Sequence, residues 1–412
     1  MKKHIRLTAI LLAAVLAGCG NGNGNTGSTN GGNSESTNNG AGEVSLEAPD
    51  YVKSAMDLSL RLTSGNYFLL EDGSIVTIGK SYENFAGEYA ALPNLKTIAD
   101  SSSEMQLFAL TESGEVYYHD TKILDGVEDL IYSTTNTNQK AMAIAGDKIY
   151  CITVNPPEMV VDSLRQANPD TYFDVGNQVV NYYETTWTFS KLEPENATKA
   201  SGNLAYINSD KSDFMVLNAA GSVFMNDNSG NSEQYIGMEC FDWEDLVMID
   251  AVRMLSDVTN REQGDEVTVA GILADGTVVA CGAFADEIKS WGPLAYISME
   301  TGLIVGLTPE GTLKLAGPCA EYMADDVADW KNIAAIEAGD IGGTIVINAM
   351  DTDGLCYQLA YDSRWTENSL DILSPADGRL EGDTDWWYKY CPDGSVYRTS
   401  GENGAWEAYE EK

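Results

Sequence analysis

His119 and the carboxylates near it are the first place to look for chemistry. The 412-residue chain has two histidines, His4 and His119, so one imidazole within the body of the chain is available for acid–base work. His119 ends the strand-like run Glu115-Val-Tyr-Tyr-His-Asp120. Neighbours on a strand face opposite ways, so Asp120 does not support it as a dyad, and a polar strand-end role is expected. Asp383-x-Asp385, Asp351-x-Asp353-Gly354 and Asp227-x-Ser229-Gly230 carry oxygen ligands at spacings that suit Ca²⁺. The chain holds 63 Asp plus Glu, and the last two pairs fall in turn-like sequence, so surface acids are the expected reading. HExxH, paired CxxC, GxSxG and a full EF-hand loop are all missing. Gly73 to Ser81 imitates a phosphate loop but has one residue too many between Gly73 and Gly79. Gly22-x-Gly24-x-x-Gly27 matches the dinucleotide fingerprint with no strand before it and no helix after it. The expectation is a non-enzymatic protein with no metal or cofactor; Ca²⁺ is conceivable but unsupported.

One residue does carry a chemical signal. A basic start (Lys2, Lys3, Arg6) leads into the apolar run Leu7–Leu16, too short to span a bilayer, and then Leu16-Ala17-Gly18-Cys19. This resembles a bacterial lipobox. The resemblance implies a signal peptide over 1–18 and lipid attachment at Cys19. Residues 20–45 are almost all Gly, Asn, Ser and Thr, which cannot bury enough surface to offset the entropy of ordering. Residues 19–45 therefore read as a lipidated Cys and a disordered tether, whose coil reaches roughly 28 Å on average. The six other cysteines (Cys151, Cys240, Cys281, Cys319, Cys356, Cys391) admit fifteen pairings, or none.

Aromatic residues are the remaining candidates for recognition. Trp365, Trp386, Trp387 and Trp406, with Tyr172, Tyr182 and Tyr183, form the candidate binding surface. Core or closing packing is the competing role for the tryptophans. Trp243, Trp291 and Trp330 recur in register with a repeat, which marks them as packing residues.

That repeat is what must position everything else. Seven glycines (Gly73, Gly114, Gly221, Gly276, Gly311, Gly354, Gly394) each have an apolar residue four places before and another two places after. An Asp or another turn-compatible residue usually stands just ahead of the Gly. This is the pattern of a β-hairpin with a tight turn. Ala141–Tyr150 is an eighth copy, shifted by one residue. A second element, apolar-x-x-Leu/Ile-x-x-Ile, precedes most hairpins and reads as a bend entering a strand: Leu92-Leu95-Ile98, Trp243-Leu246-Ile249, Trp291-Leu294-Ile297, Trp330-Ile333-Ile336, with Leu204 and Ile207 partly matching. The unit is about 40 residues, the length of a propeller blade. Residues 46–412 are thus expected to be all-β, a seven- or eight-bladed β-propeller with an insertion near 155–185 that carries Pro156-Pro157 and a short helix near Val160–Ala167.

Ile272–Gly282, Leu307–Gly317 and Asp329–Gly339 resemble the regulator-of-chromosome-condensation type repeat, well over 267–339 and fairly over 66–150. The resemblance implies seven blades and a role in protein recognition, including secreted propellers that inhibit an enzyme. The sequence departs from that pattern after Gly339, where Asp340 stands in place of the usual His.

The formal net charge of −39 argues against nucleic acid and against anionic membrane except through the lipid anchor. It favours a protein partner with a basic surface. Glycan binding or processing is the alternative, because aromatics and acids are abundant. A solute-binding lipoprotein would need two lobes with long amphipathic helices, and the hairpin pattern opposes that. The expected location is the extracytoplasmic face of a bacterial cell membrane.

Overall fold

The chain turns where the repeat places its glycines. In the computed structural model, residues 1–45, 71–72, 74, 78–88, 90, 93, 102–105, 133–138, 147, 185–196, 202–213, 227–236, 256–263, 342–343, 355, 363–369, 374–378, 383–386, 391–395, 400–406 and 409–412 lie outside the described set. The chain divides at residues 43 and 44, and Val44–Lys412 is the unit that carries the described elements.

Among the described residues, eight antiparallel sheets follow in chain order. The first is β1 (Tyr67–Leu69) and β2 (Ile75–Thr77). The second is β3 (Leu95–Ser101), β4 (Gln106–Thr111), β5 (Val116–Tyr118) and β6 (Thr121–Leu124). The third comprises β7 (Asp129–Tyr132), β8 (Gln139–Ala145), β9 (Lys148–Asn155), β10 (Tyr172–Val175) and β11 (Gln178–Glu184). Three three-stranded sheets follow. They are β12 (Ala197–Ser201), β13 (Phe214–Asn218), β14 (Val223–Asn226); β15 (Leu246–Leu255), β16 (Gly264–Leu273), β17 (Val278–Cys281); and β18 (Tyr296–Glu300), β19 (Leu303–Leu307), β20 (Leu313–Ala316). The seventh is β21 (Ile333–Ile341), β22 (Thr344–Asp351), β23 (Cys356–Asp362) and β24 (Leu370–Leu373). The eighth is β25 (Arg379–Gly382), β26 (Trp387–Tyr390), β27 (Val396–Thr399) and β28 (Glu407–Ala408).

All seven pairs of apolar positions flanking the turn glycines are cross-strand partners: Leu69 with Ile75, Leu110 with Val116, Leu217 with Val223, Ile272 with Val278, Leu307 with Leu313, Met350 with Cys356, and Tyr390 with Val396. The shifted copy pairs Ile144 with Ile149 around Gly146. The second element enters a strand as expected. Leu95, Leu246 and Ile333 each open a first strand and are followed by a register shift. Leu204 and Ile207 lie outside the described residues.

The packing between sheets explains the apolar runs. Tyr67 and Leu69 meet Leu95, Ile98 and Leu107, joining the first sheet to the second. Phe108 and Leu110 meet Leu130, Ala141 and Ile152, joining second to third. Val216 packs on Met142, Ile144 and Ile149, and Met215 and Leu217 pack on Leu246 and Ile249. One large cluster runs through the fifth, sixth and seventh sheets. Phe68 and Leu62 then meet Ala335, Met350 and Cys356, so the seventh sheet packs back on the first. Neighbouring residues of one strand feed opposite clusters, as Met248 and Ile249 do, because side chains alternate across a strand.

Helices are few. α1 (Asp50–Ser59) precedes the first sheet, with Asp50 in its first turn and Val52, Ala55 and Ser59 buried on one stripe. It packs on β21 and β18. The hairpin pattern contains no sign of it. α2 (Asp162–Ala167) lies in the insertion, while α3 (Ala285–Lys289) and α4 (Ala320–Val327) follow β17 and β20. No helix among the described residues is long and apolar enough to cross a membrane.

Candidate binding surfaces

The insertion begins with a 3₁₀ turn at Pro157–Met159, continues as α2, and makes a second 3₁₀ turn at Pro169–Thr171. None of these three segments buries a residue. β10 and β11 then extend the third sheet beyond β9. Tyr118 donates a 2.6 Å hydrogen bond to the Gln178 side chain, tying β11 to the second sheet. The Thr153 hydroxyl donates to Asn181 at 2.5 Å. Arg165 of α2 makes an ion pair with Asp174 of β10, and Lys148 makes one with Glu184 at 2.9 Å.

On this support the apolar side chains of the insertion point outward. Met159 is 67% exposed, Val161 54%, Leu164 54% and Tyr183 45%. Clustered exposure of large apolar groups is a mark of recognition surfaces. Of the three tyrosines singled out from the sequence, Tyr183 is the open one. Tyr182 stands edge-on to Tyr150 at 5.5 Å and stacks on Phe173 at 6.3 Å, and it packs against the core of the second and third sheets. Tyr172 is partly covered on β10. Trp365, Trp386 and Trp406 lie outside the described residues; Trp387 opens β26, and its side chain is outside the described set. Trp330 is buried, and Trp243 and Trp291 pack against cluster residues.

First strands of neighbouring sheets touch one another: β15 with β18, β18 with β21, β3 with β7. Asp250, Glu300 and Asp340 are among the carboxylates on these strands. Asp250 accepts the Met299 amide at 2.8 Å, which links fifth and sixth sheets. Glu300 accepts both the amide and the hydroxyl of Thr301 at 2.7 Å. Burial, then the charges of Asp340 and Asp250, push the Glu300 carboxyl up to about 7. These acids line the seam between the fifth, sixth and seventh sheets.

A cavity of about 470 Å³ lies beside α1, lined among others by Lys53, Met56, Lys96, Asp129, Leu217 and Leu246. Lys96 already donates to the Glu128 carbonyl at 2.6 Å.

His119 adopts a left-handed conformation (φ 55°) in the tight turn between β5 and β6. Its ring stands edge-on to Tyr118 at 4.4 Å, and its amide donates to the Tyr89 hydroxyl at 2.8 Å. Asp351 accepts the Asp353 amide at 2.9 Å with one oxygen and the Tyr357 hydroxyl at 2.8 Å with the other, so its own turn occupies it. Asp227 and Asp383 lie outside the described residues, and no cluster able to hold a metal occurs among those described.

No known protein family matches the sequence, and no curated protein does. Solved structures are similar at low identity. They include Sqt1 of Saccharomyces cerevisiae (14% identity over 75% of this chain and 83% of that one, TM-score 0.34). Yeast RCC1 (Prp20) bound to Kap60 is also similar (12%, 74% and 70%, TM-score 0.27), as is BamB of Moraxella catarrhalis (10%, 73% and 82%, TM-score 0.26). The fold assignment, antiparallel sheets packed in succession, stands on this chain's own pairing and clusters.

Proposed function

We propose that the protein is a non-enzymatic recognition module, a seven- or eight-bladed propeller of the regulator-of-chromosome-condensation type, held by lipid at Cys19 on the extracytoplasmic face of a bacterial membrane. Its partner is a protein with a basic surface. The observation that carries the binding role is the insertion, whose apolar side chains Met159, Val161 and Leu164 stand exposed on a braced edge of the third sheet. The net charge of −39 supports the choice of partner, because an acidic field speeds encounter with basic proteins and repels anionic ones. Glycan stacking is less well supported, since Tyr182 is engaged with Tyr150 and Phe173.

The test is capture from the envelope and culture fluid of the producing organism with residues 44–412 as bait, beside a Met159→Asp/Leu164→Asp bait. Neither residue is buried, so the variant keeps the fold. One or two proteins retained at low salt, released at high salt and lost with the variant are expected. Polysaccharide enriched without a protein, or a protein retained equally by the variant, overturns the reading.

A further inference from the structure

We propose that Cys240 and Cys281 are the two halves of a disulfide that clasps the fifth sheet. Cys240 sits in a 3₁₀ turn, Glu239–Asp242, just before β15, and Cys281 ends β17. The turn packs on β17, and both cysteines are buried in one cluster with Met225, Leu246, Val267 and Val269. A thiol is a weak donor and acceptor, so two of them buried in one aliphatic cluster gain little as thiols and much as a bond.

The other buried cysteines have different neighbours. Cys151 is paired across the strands with Tyr183, and Cys356 donates to the Gly354 carbonyl at 3.8 Å. All five described cysteines are free thiols in this structure, so the bond is one the geometry permits and an oxidant must make.

The two thiols are not equivalent. Cys281 retains 8% exposure, while Cys240 is fully buried, so an oxidant reaches Cys281 more readily. Cys281 therefore attacks first. Its thiolate displaces one thiolate from a low-molecular-weight or protein disulfide, giving a mixed disulfide. Cys240 then loses its proton and attacks the Cys281 sulfur, expelling the second thiolate. The two cysteines lose two electrons and two protons, and the oxidant gains them as two thiols. The product ties the entry turn of the sheet to its last strand, closing a loop that contains β15 and β16.

This inference goes beyond the binding role and is tested without reference to where the protein resides. The full chain is unfolded with reductant, refolded in a buffer of reduced and oxidised glutathione, alkylated under denaturing conditions, and mapped by mass spectrometry. The expected result is one linked pair of peptides carrying Cys240 and Cys281, lighter by two hydrogens than the free pair. Cys151, Cys319, Cys356 and Cys391 should be alkylated. Recovery of Cys240 and Cys281 as separate alkylated, glutathionylated or otherwise paired residues overturns the proposal. As a second measurement, adding reductant should lower the melting midpoint of the oxidised chain by several degrees and leave Cys281→Ser unmoved. An equal response in both also overturns it.

Discussion

At the scale of single residues, Glu300 is a carboxyl whose protonation departs from its ordinary state within the range of ordinary pH. Its carboxyl is pushed up from 4.5 to about 7, first by burial and then by Asp340 and Asp250. The folded protein thus binds a proton more tightly than the unfolded chain does, so the ionised form opposes folding. That penalty is absent below about pH 4.5, grows through the interval, and is complete above about pH 7, where it amounts to roughly 3 kcal/mol. Glu300→Gln keeps an acceptor for Thr301 and removes the charge. It should raise stability to urea at pH 8 and leave it almost unchanged at pH 4, so that the part of the pH dependence between 4.5 and 7 flattens. Equal effects at both values would show that Glu300 does not titrate in this window. No sequence signal separates this residue from the other acids, because its shift depends on carboxylates from two neighbouring sheets. The exposed apolar group on the insertion was equally hidden. Met159, Val161 and Leu164 sit in a segment whose aromatics drew attention first, and only the paired strands β10 and β11 show which side chains stay outside.

At the scale of elements, the hairpin glycines do two things, and the sequence displays one of them. A positive φ is visible in the Asp-Gly pattern. The second task is close approach. Gly311 (φ 75°) accepts the Ile333 amide at 3.1 Å, and a Cβ there would come within 2.9 Å of that nitrogen. Gly221 likewise accepts the Leu246 amide at 3.2 Å, and a Cβ would lie 2.6 Å from it. In these two places the turn of one hairpin is therefore docked on the first residue of the next sheet's first strand. Gly354 (φ 78°) has the same backbone with open space around it. Gly354→Ala should cost only the left-handed penalty, about 1–2 kcal/mol. Gly311→Ala should cost clearly more, because the Cβ must push Ile333 away as well. Denaturant midpoints of the two variants measure the difference, and equal losses would remove the docking role. Hairpins and their register were legible because turn chemistry and strand alternation are local. α1 was not, since its stripe of Val52, Ala55 and Ser59 is short and finds its meaning only against β21.

At the scale of the whole molecule, the seventh sheet meets the segment that leads into the first. Asn348, fully buried on β22, donates to the carbonyls of Thr63 and Gly65, both at 2.7 Å, and accepts from Gln358 at 2.9 Å. Gln358 also donates to Gly65 at 3.1 Å, and the Ile336 amide donates to the Ser59 hydroxyl at 3.3 Å. Gly339 lies so close to Ser64 that a Cβ would overlap its carbonyl oxygen. These bonds join residues nearly three hundred positions apart, so each one ties the ends of a long chain segment together. Asn348→Ala leaves the buried Thr63 carbonyl short of a donor, at about 1–3 kcal/mol, and takes from Gln358 its Asn348 acceptor, while Gly65 keeps its bond from Gln358. The loss should exceed that of a substitution on an exposed strand position and should lower the melting midpoint by several degrees. If seven sheets close the ring, the eighth (β25–β28) stands outside it, and a chain ending after Leu373 should melt as cooperatively as the full chain and within a few degrees of it. If the ring needs eight blades, that truncation opens it between the seventh sheet and the first, and the Asn348 bonds are lost with it. A truncated chain that melts broadly, and in which Asn348→Ala no longer has any effect, would establish the eight-bladed arrangement. A truncated chain that keeps the full cost of Asn348→Ala would establish that the seam between Asn348 and Gly65 is where the molecule closes.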